Sequence, residues 1–142
     1  MNLPAVAIDN ITELLVKIVE FTQTRQKVLI QNINNIKKPD FVPKDLAVEE
    51  FSGLVIEAIE EHMRSQRLLL RDSANVKFCA GGSFLALPII DRYAREILEK
   101  NRDEYLRLQI DKLLENSLNQ RIAVALLKEK EGENFGFQPN PN

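Results

Sequence analysis

Two long stretches at opposite ends of the 142-residue chain carry apolar side chains at helical spacing, and they constrain the fold more than any other feature. In the first, Ile11, Leu15, Ile18, Leu29, Ile33 and Ile36 recur at intervals built from threes and fours. The spacing predicts a helix over residues 9–36, roughly 40 Å long at 1.5 Å per residue. Asp9 or Asn10 is a suitable cap, and Glu13 stands three residues after Asn10, where it can answer the cap. In the second stretch, Leu106, Ile110, Leu113, Leu114, Leu118, Ile122, Ala125 and Leu126 mark one side of a helix over 103–131, with Gly132 as its stop. The simplest burial for both stripes lays the helices against each other, antiparallel, as a coiled-coil-like rod. The predicted fold is therefore mainly α, with a short variable middle.

The first stripe is interrupted. Thr22, Arg25 and Asn32 occupy positions where a plain coiled coil places apolar groups. Polar residues in a seam cost stability but fix register and partner. A stripe that drifts around the helix would instead carry them into solvent. The spacing accommodates both arrangements.

The stretch NINNIKKPDFVPKD, residues 32–45, ends the first helix. Pro39 and Pro43 push Lys38 and Val42 out of helical geometry, so 37–44 is read as an extended loop. Phe41, between the prolines, either docks on a partner or folds onto its own core. A second helix is expected from near Ser52 to Arg71. Phe51, Val55, Ile59, Met63, Leu69 and Leu70 form its apolar face, and Glu60–Arg64 is a favourable pair on its wet face. Asn75 to Ala80 reads as a short strand between Asp72-Ser73 and the turn at Gly81-Gly82. Pro88 opens a third helix through Ile89 and Ile90 to Asn101. These elements fill the variable middle, 45–101. Residues 1–132 read as one helical domain and 133–142 as a mobile tail.

Net charge is −2 with signs mixed along the chain, so no nucleic-acid footprint is expected. No run reaches the ~18 apolar residues of a membrane span. The N-terminus lacks the basic and apolar regions of a cleaved signal peptide. Cys79 is the single cysteine and has no histidine in its own segment, which reads as a buried, inert thiol. His62, the single histidine, reads as a surface or flank residue. Gly81-Gly82-Ser83 lacks the lysine and hydroxyl of a phosphate loop. No metal-ligand spacing is present, and no cofactor, metal or catalytic residue is expected. A chain with no chemical site and two long interrupted stripes is expected to work by touching other proteins.

Both ends carry a resemblance. In the run Arg25 to Asn35, Leu29, Asn32, Ile33 and Asn35, followed by Pro39 and Phe41, resemble the N-terminal signature of bacterial flagellar rod, hook and hook-associated axial proteins. There a helix with spaced asparagines leads into a Thr-Pro-Gly-Tyr turn. Lys38 stands for the threonine and Asp40 for the glycine. Asp45 and Leu46 resemble an acidic-apolar pair of the proximal rod members. Leu106, Ile110, Leu113, Glu115, Asn116 and Leu118 resemble the family's last helix, although Gln120 stands where a tyrosine is usual. The chain length is similar to that of the proximal rod members.

The resemblance implies a structural subunit of the basal-body rod without catalytic activity or cofactor. It implies uncleaved export, residence in the periplasm, self-association, and contacts with other rod proteins and with the export gate or basal ring. Leu15, Ile18, Leu29 and Ile33 would then pair with Leu106, Ile110, Leu113 and Leu118. Arg25, Asn32 and Asn116 would select register and partner, while Asn35, Pro39 and Phe41 would lie against neighbouring subunits. The alternative is a cytosolic helical adaptor or regulator unrelated to the rod. An enzyme using Cys79 is the remote third option.

Overall fold

The computed structural model describes residues 3–79 and 84–134, with side chains over 10–79 and 84–132. The helices are α1 (Leu3–Asn34), α2 (Val48–Ser65), α3 (Arg92–Lys100) and α4 (Arg102–Asn134). The strands are β1 (Lys44–Asp45), β2 (Val76–Lys77), β3 (Leu85–Ala86) and β4 (Ile89–Ile90). The fold is mainly helical, and α1 and α4 pack along each other. Residue order shows the pairing to be antiparallel, because Thr22 meets Asn116 while Asn32 meets Gln109. The expected arrangement of the long terminal helices is thus the one observed.

Several local expectations are corrected. α1 begins at Leu3, not at residue 9, and Pro4 lies in its first turn, where no N–H donor is missed. Asn10 therefore caps nothing. Its Nδ2 lies 3.3 Å from Nδ1 of His62 and donates to the Gln66 carbonyl at 3.0 Å. Glu13 pairs with Lys17 at 3.4 Å. His62 is buried rather than on the surface, and it joins Phe51, Leu54 and Ala58 on the inner face of α2. Ile59 and Met63 accordingly face outward.

α2 stops at Ser65, six residues before Arg71, because Gln66 takes left-handed backbone with φ 61° and its N–H closes on His62 O. Leu69 and Leu70 follow in irregular chain. Arg64 pairs with Glu61, one turn back, instead of Glu60.

The 37–44 segment is a turn before it is extended. The Phe41 N–H reaches Lys38 O at 3.3 Å, and Asp40 adopts φ 61°. This is left-handed backbone, which glycine takes freely and Asp tolerates. The chain then runs as β1 beside β4, antiparallel, with Lys44 opposite Ile90 and Asp45 opposite Ile89. Ile89 and Ile90 are thus strand rather than helix. Asp91 explains the difference, since its carboxylate accepts from the Ala94 N–H at 3.0 Å and starts α3 there. Of the strand expected over 75–80, only Val76–Lys77 forms, as β2 paired antiparallel with β3; Ala80 lies outside the described residues, and Cys79, expected to be buried, is exposed. The glycine turn after it lies outside the described residues, as does the tail beyond 134. Gly132 does not stop α4, which continues to Asn134.

The main core lies between α1, α2 and the β2–β3 hairpin, not along α1 and α4. Phe21, Val28, Leu46, Phe51, Leu54, Val76, Phe78 and Ala86 form it. The rings of Phe21 and Phe51 stack with centroids 4.0 Å apart, and Phe84 meets Phe51 edge-on at 5.9 Å. Each buried ring contributes on the order of 2 kcal/mol by area alone. A smaller cluster of Ala94, Ile97 and Tyr105 ties α3 to the start of α4.

Candidate functional site

What lies between α1 and α4 is polar. α4 turns Tyr105, Gln109, Lys112 and Asn116 inward at intervals of four, three and four residues, a helical stripe of hydrogen-bonding groups. On the α1 side stand Thr22, Arg25 and Asn32, all buried. The seam reading of these residues therefore holds over the solvent reading.

Asn32 acts as a three-way clasp. Its Nδ2 donates to Lys44 O at 2.7 Å and to Gln109 Oε1 at 2.9 Å, and its Oδ1 accepts from the Lys44 N–H at 3.1 Å. One side chain thus satisfies both backbone groups of a strand residue and the buried Oε1 of Gln109 on α4, whose Nε2 is left without a partner among the described residues. The Tyr105 hydroxyl donates to Asn32 O at 2.9 Å. Burial, then the nearby Asp91 charge, pushes the Tyr105 pKa up to about 12, so the hydroxyl remains a donor at neutral pH. Further along, Asn116 Nδ2 donates to Thr22 O at 2.8 Å, the carbonyl of a residue whose own hydroxyl bonds back to Val19.

The centre of the seam is charged. Arg25 meets Asp45 bidentately, Nε to Oδ1 at 2.9 Å and a terminal nitrogen to Oδ2 at 3.1 Å. Lys112 Nζ bridges Asp45 at 3.0 Å and Asp91 at 2.6 Å. Asp45 Oδ1 also accepts from the Leu46 N–H at 2.7 Å. Burial works to raise the Asp45 pKa, but the Arg25 and Lys112 interactions outweigh it and leave the carboxyl below its ordinary value. Burial likewise works to lower the Lys112 pKa, and Asp91 and Asp45 together raise it. The four groups join α1, β1, α4 and the cap of α3 in one network.

Beside these polar groups, several large aliphatic groups of α4 are exposed. Ile110, Leu114, Leu118, Ile122 and Leu126 are between 44 % and 64 % exposed. Ile56, Ile59 and Met63 are likewise exposed on α2. A hollow of about 370 Å³ opens between α1, α2 and α4, lined by Leu15, Phe21, Phe51, Val55, Ile122 and Leu126 among others. Ile18 also lines it and packs on the main core.

The expected pairing along the seam is therefore corrected. Leu15 and Leu29 are buried, and Ile33, Leu106 and Leu113 are half-buried. Ile110 and Leu118 face solvent and cannot pair with α1. The inward positions beside them belong to Gln109, Lys112 and Asn116. Asn35 is half-buried and its carbonyl accepts from Lys38 N–H in the turn. Pro39 is exposed, and Phe41 is half-buried, lining shallow hollows with Val42 on either side of the turn. Asp91, Tyr105, Gln109 and Lys112 were not singled out by the apolar spacing. The 4-3-4 polar rhythm of Tyr105, Gln109, Lys112 and Asn116 was the available signal for the three on α4, and Asp91 lies outside it.

No family model, curated protein or solved structure matches the chain. Among the described residues, no group of three or more His, Cys, Asp or Glu is placed to hold a metal ion, and no helix is long and apolar enough to cross a membrane.

Proposed function

We propose that this chain is a structural subunit that works by helix-to-helix assembly with other protein chains. The observation that carries the reading is the division of α4: Tyr105, Gln109, Lys112 and Asn116 are spent inward on α1 and its neighbours, while Ile110, Leu114 and Leu118 are exposed and Ile122 and Leu126 stay half exposed at the edge of the hollow. Contiguous exposed apolar surface of this kind marks interaction sites. Polar contacts such as Asn32 to Gln109 fix the register of the hairpin, so the outer face is displayed on a rigid support.

The assembly we propose is the bacterial flagellar basal-body rod, at its proximal end. Support comes from the resemblance of Leu29, Asn32, Ile33, Asn35, Pro39 and Phe41 to the axial-protein signature, and of Leu106 to Leu118 to its last helix. The left-handed backbone at Asp40, where the signature has glycine, adds to it. On this reading the chain is exported uncleaved to the periplasm and meets other rod proteins and the export gate or basal ring. It has no catalytic activity, cofactor or nucleic-acid ligand. Deleting the gene in its source organism and imaging basal bodies tests the proposal. Missing or truncated rods, restored by the intact gene, support it; complete rods in motile cells overturn it.

A cytosolic helical adaptor is the second reading. The closed network of Arg25, Asp45, Lys112 and Asp91 within one chain favours it, since an axial subunit is expected to keep frayed ends until assembly. Hydrogen exchange over 9–36 and 103–131 separates them: strong protection in the isolated chain supports the adaptor, and fast exchange supports the axial subunit.

A further inference from the structure

The outward face of α4 has a definite pattern. Ile110, Leu114, Leu118, Ile122 and Leu126 follow one another at every fourth residue and so form a single ridge. Five aliphatic side chains, each about half exposed, present roughly 500 Å² of apolar surface, with Ile122 and Leu126 also edging the hollow between α1, α2 and α4; that is the size of the largest, often functional, patch on a single chain and a large part of the ~800 Å² each partner gives to a stable pair. Leu118 is the middle residue of the ridge. Three residues before it stands Glu115, and three residues after it stands Arg121, both exposed. At 100° per residue these two charges fall on opposite flanks of the ridge. Asp111 lies on the same flank as Glu115. Neither Arg121 nor Asp111 forms an ion pair with another described residue, and Glu115 reaches only Arg25, at 3.7 Å.

We propose that the occupant of this face is a second copy of the chain, with α4 packed against α4 and both running in the same direction. The proposal rests on the reading of this face as an assembly surface and names its partner. Ridges built on every fourth residue interlock best when two helices cross at about −50°. At that crossing, in a same-direction pair related by a two-fold axis near Leu118, the flank carrying Glu115 meets the partner's flank carrying Arg121, twice. Tilting the helices brings each Glu115 level with the Arg121 it faces. In an opposite-direction pair the two-fold places Glu115 against Glu115 and Arg121 against Arg121. The apolar ridge accepts either direction, and the charges select one. At its centre, about Leu118, the strip has an acid on one flank and a base on the other, which complement a second copy only in this arrangement; Arg107 and Glu129 break the pattern at its two ends.

The test uses the full-length purified chain and sedimentation equilibrium from ~1 to ~200 μM, a span that covers ordinary affinities of modest interfaces. Reversing one edge, as Arg121→Glu or Glu115→Arg, puts like charges at both crossings and is expected to raise the dimer dissociation constant roughly tenfold. The double reversal restores dimerisation, and an equimolar mixture of the two single variants forms the mixed pair. In a Cys79→Ser background, Leu114→Cys is expected to link to its own counterpart on mild oxidation, which an opposite-direction pair would hold too far apart. Circular dichroism confirms that each exposed substitution leaves the helices intact. A chain that stays monomeric across the range, or a dimer indifferent to the charge reversals, overturns the proposal. A purified chain that dimerises, together with complete rods in the deletion strain, would refute the rod assignment alone, whereas missing rods in the deletion strain with a chain that stays monomeric would refute the pairing alone.

Discussion

Replacing Asp45 by Asn removes the one anion that holds the centre of the seam. The Arg25 and Asp45 side chains are only 6 % and 11 % exposed, so the guanidinium left behind is a buried cation without its bidentate partner. Breaking such a pair from one side costs about 3–5 kcal/mol. Two features of this site set the value within that span. Glu115 lies 3.7 Å from Arg25 but is itself 64 % exposed, so it compensates weakly. Lys112 keeps Asp91 at 2.6 Å and is not orphaned. The expected loss is therefore about 3 kcal/mol, or about 10 °C in Tm for a chain of this size. Urea unfolding followed by far-UV circular dichroism measures it. The cycle with Arg25→Met decides the cause: with both partners gone there is no orphaned charge, so the double variant is expected to be at least ~1.5 kcal/mol more stable than additivity predicts. Strict additivity, or a loss under ~1 kcal/mol for Asp45→Asn, would refute the view that this pair is buried and coupled.

The same network sets a pH window. The lowered Asp45 pKa means its contribution is present above the ordinary carboxyl value near 4 and is lost as pH falls through the lowered one. The raised Lys112 pKa means its contribution is present below about 10.4 and is lost as pH rises through the raised one. Urea midpoints are expected to be flat between about pH 5 and 9, and Asp45→Asn is expected to flatten the acid limb. Asn32→Ala removes three hydrogen bonds, two of them to the backbone of Lys44, and is expected to cost about 2–3 kcal/mol, against under ~1 for Asn35→Ala; equal losses would contradict the clasp. Asp40→Gly relieves positive φ and is expected to leave stability unchanged or raise it by up to ~1 kcal/mol, whereas Asp40→Val is expected to destabilise by more than that. Phe51→Ala opens the stacked core and is expected to cost about 3–5 kcal/mol in the same unfolding assay.

Helical periodicity located α1 and α4 within a few residues at most ends, because long runs without internal breakers leave few alternatives. It misplaced which side of α4 is inside. The leucines of 106–118 suggested an apolar seam, but Asn116 can be buried at little cost once α1 offers a free carbonyl at Thr22, and Gln109 is buried with its Oε1 accepting from Asn32 although its Nε2 has no partner among the described residues. That information resides in a segment some 80 residues away. The asparagines near residue 32 were legible as a helix-ending device. Their role as clasps was not, since it depends on Lys44 returning beside them. Ile89 and Ile90 suit strand or helix equally by pattern, and the choice was settled by Asp91 capping α3 and by β1 lying within reach.

The bonds that close α1 on α4 join residues 73, 77 and 94 positions apart in the chain, and the one that ties β1 to α4 spans 67. Contacts this distant in sequence form late, because each must overcome the entropy of a long loop before it contributes anything. A chain emerging from a ribosome or a narrow conduit with its N-terminus first can form the Arg25–Asp45 pair once residue 45 is out. It gains Lys112 and Asn116 only when nearly all of it has emerged. The last helix is therefore the element that completes the fold. Until it arrives, the buried cation of α1 has one partner instead of a network, and the chain is at its most pliable and most open to pairing with a helix that is not its own.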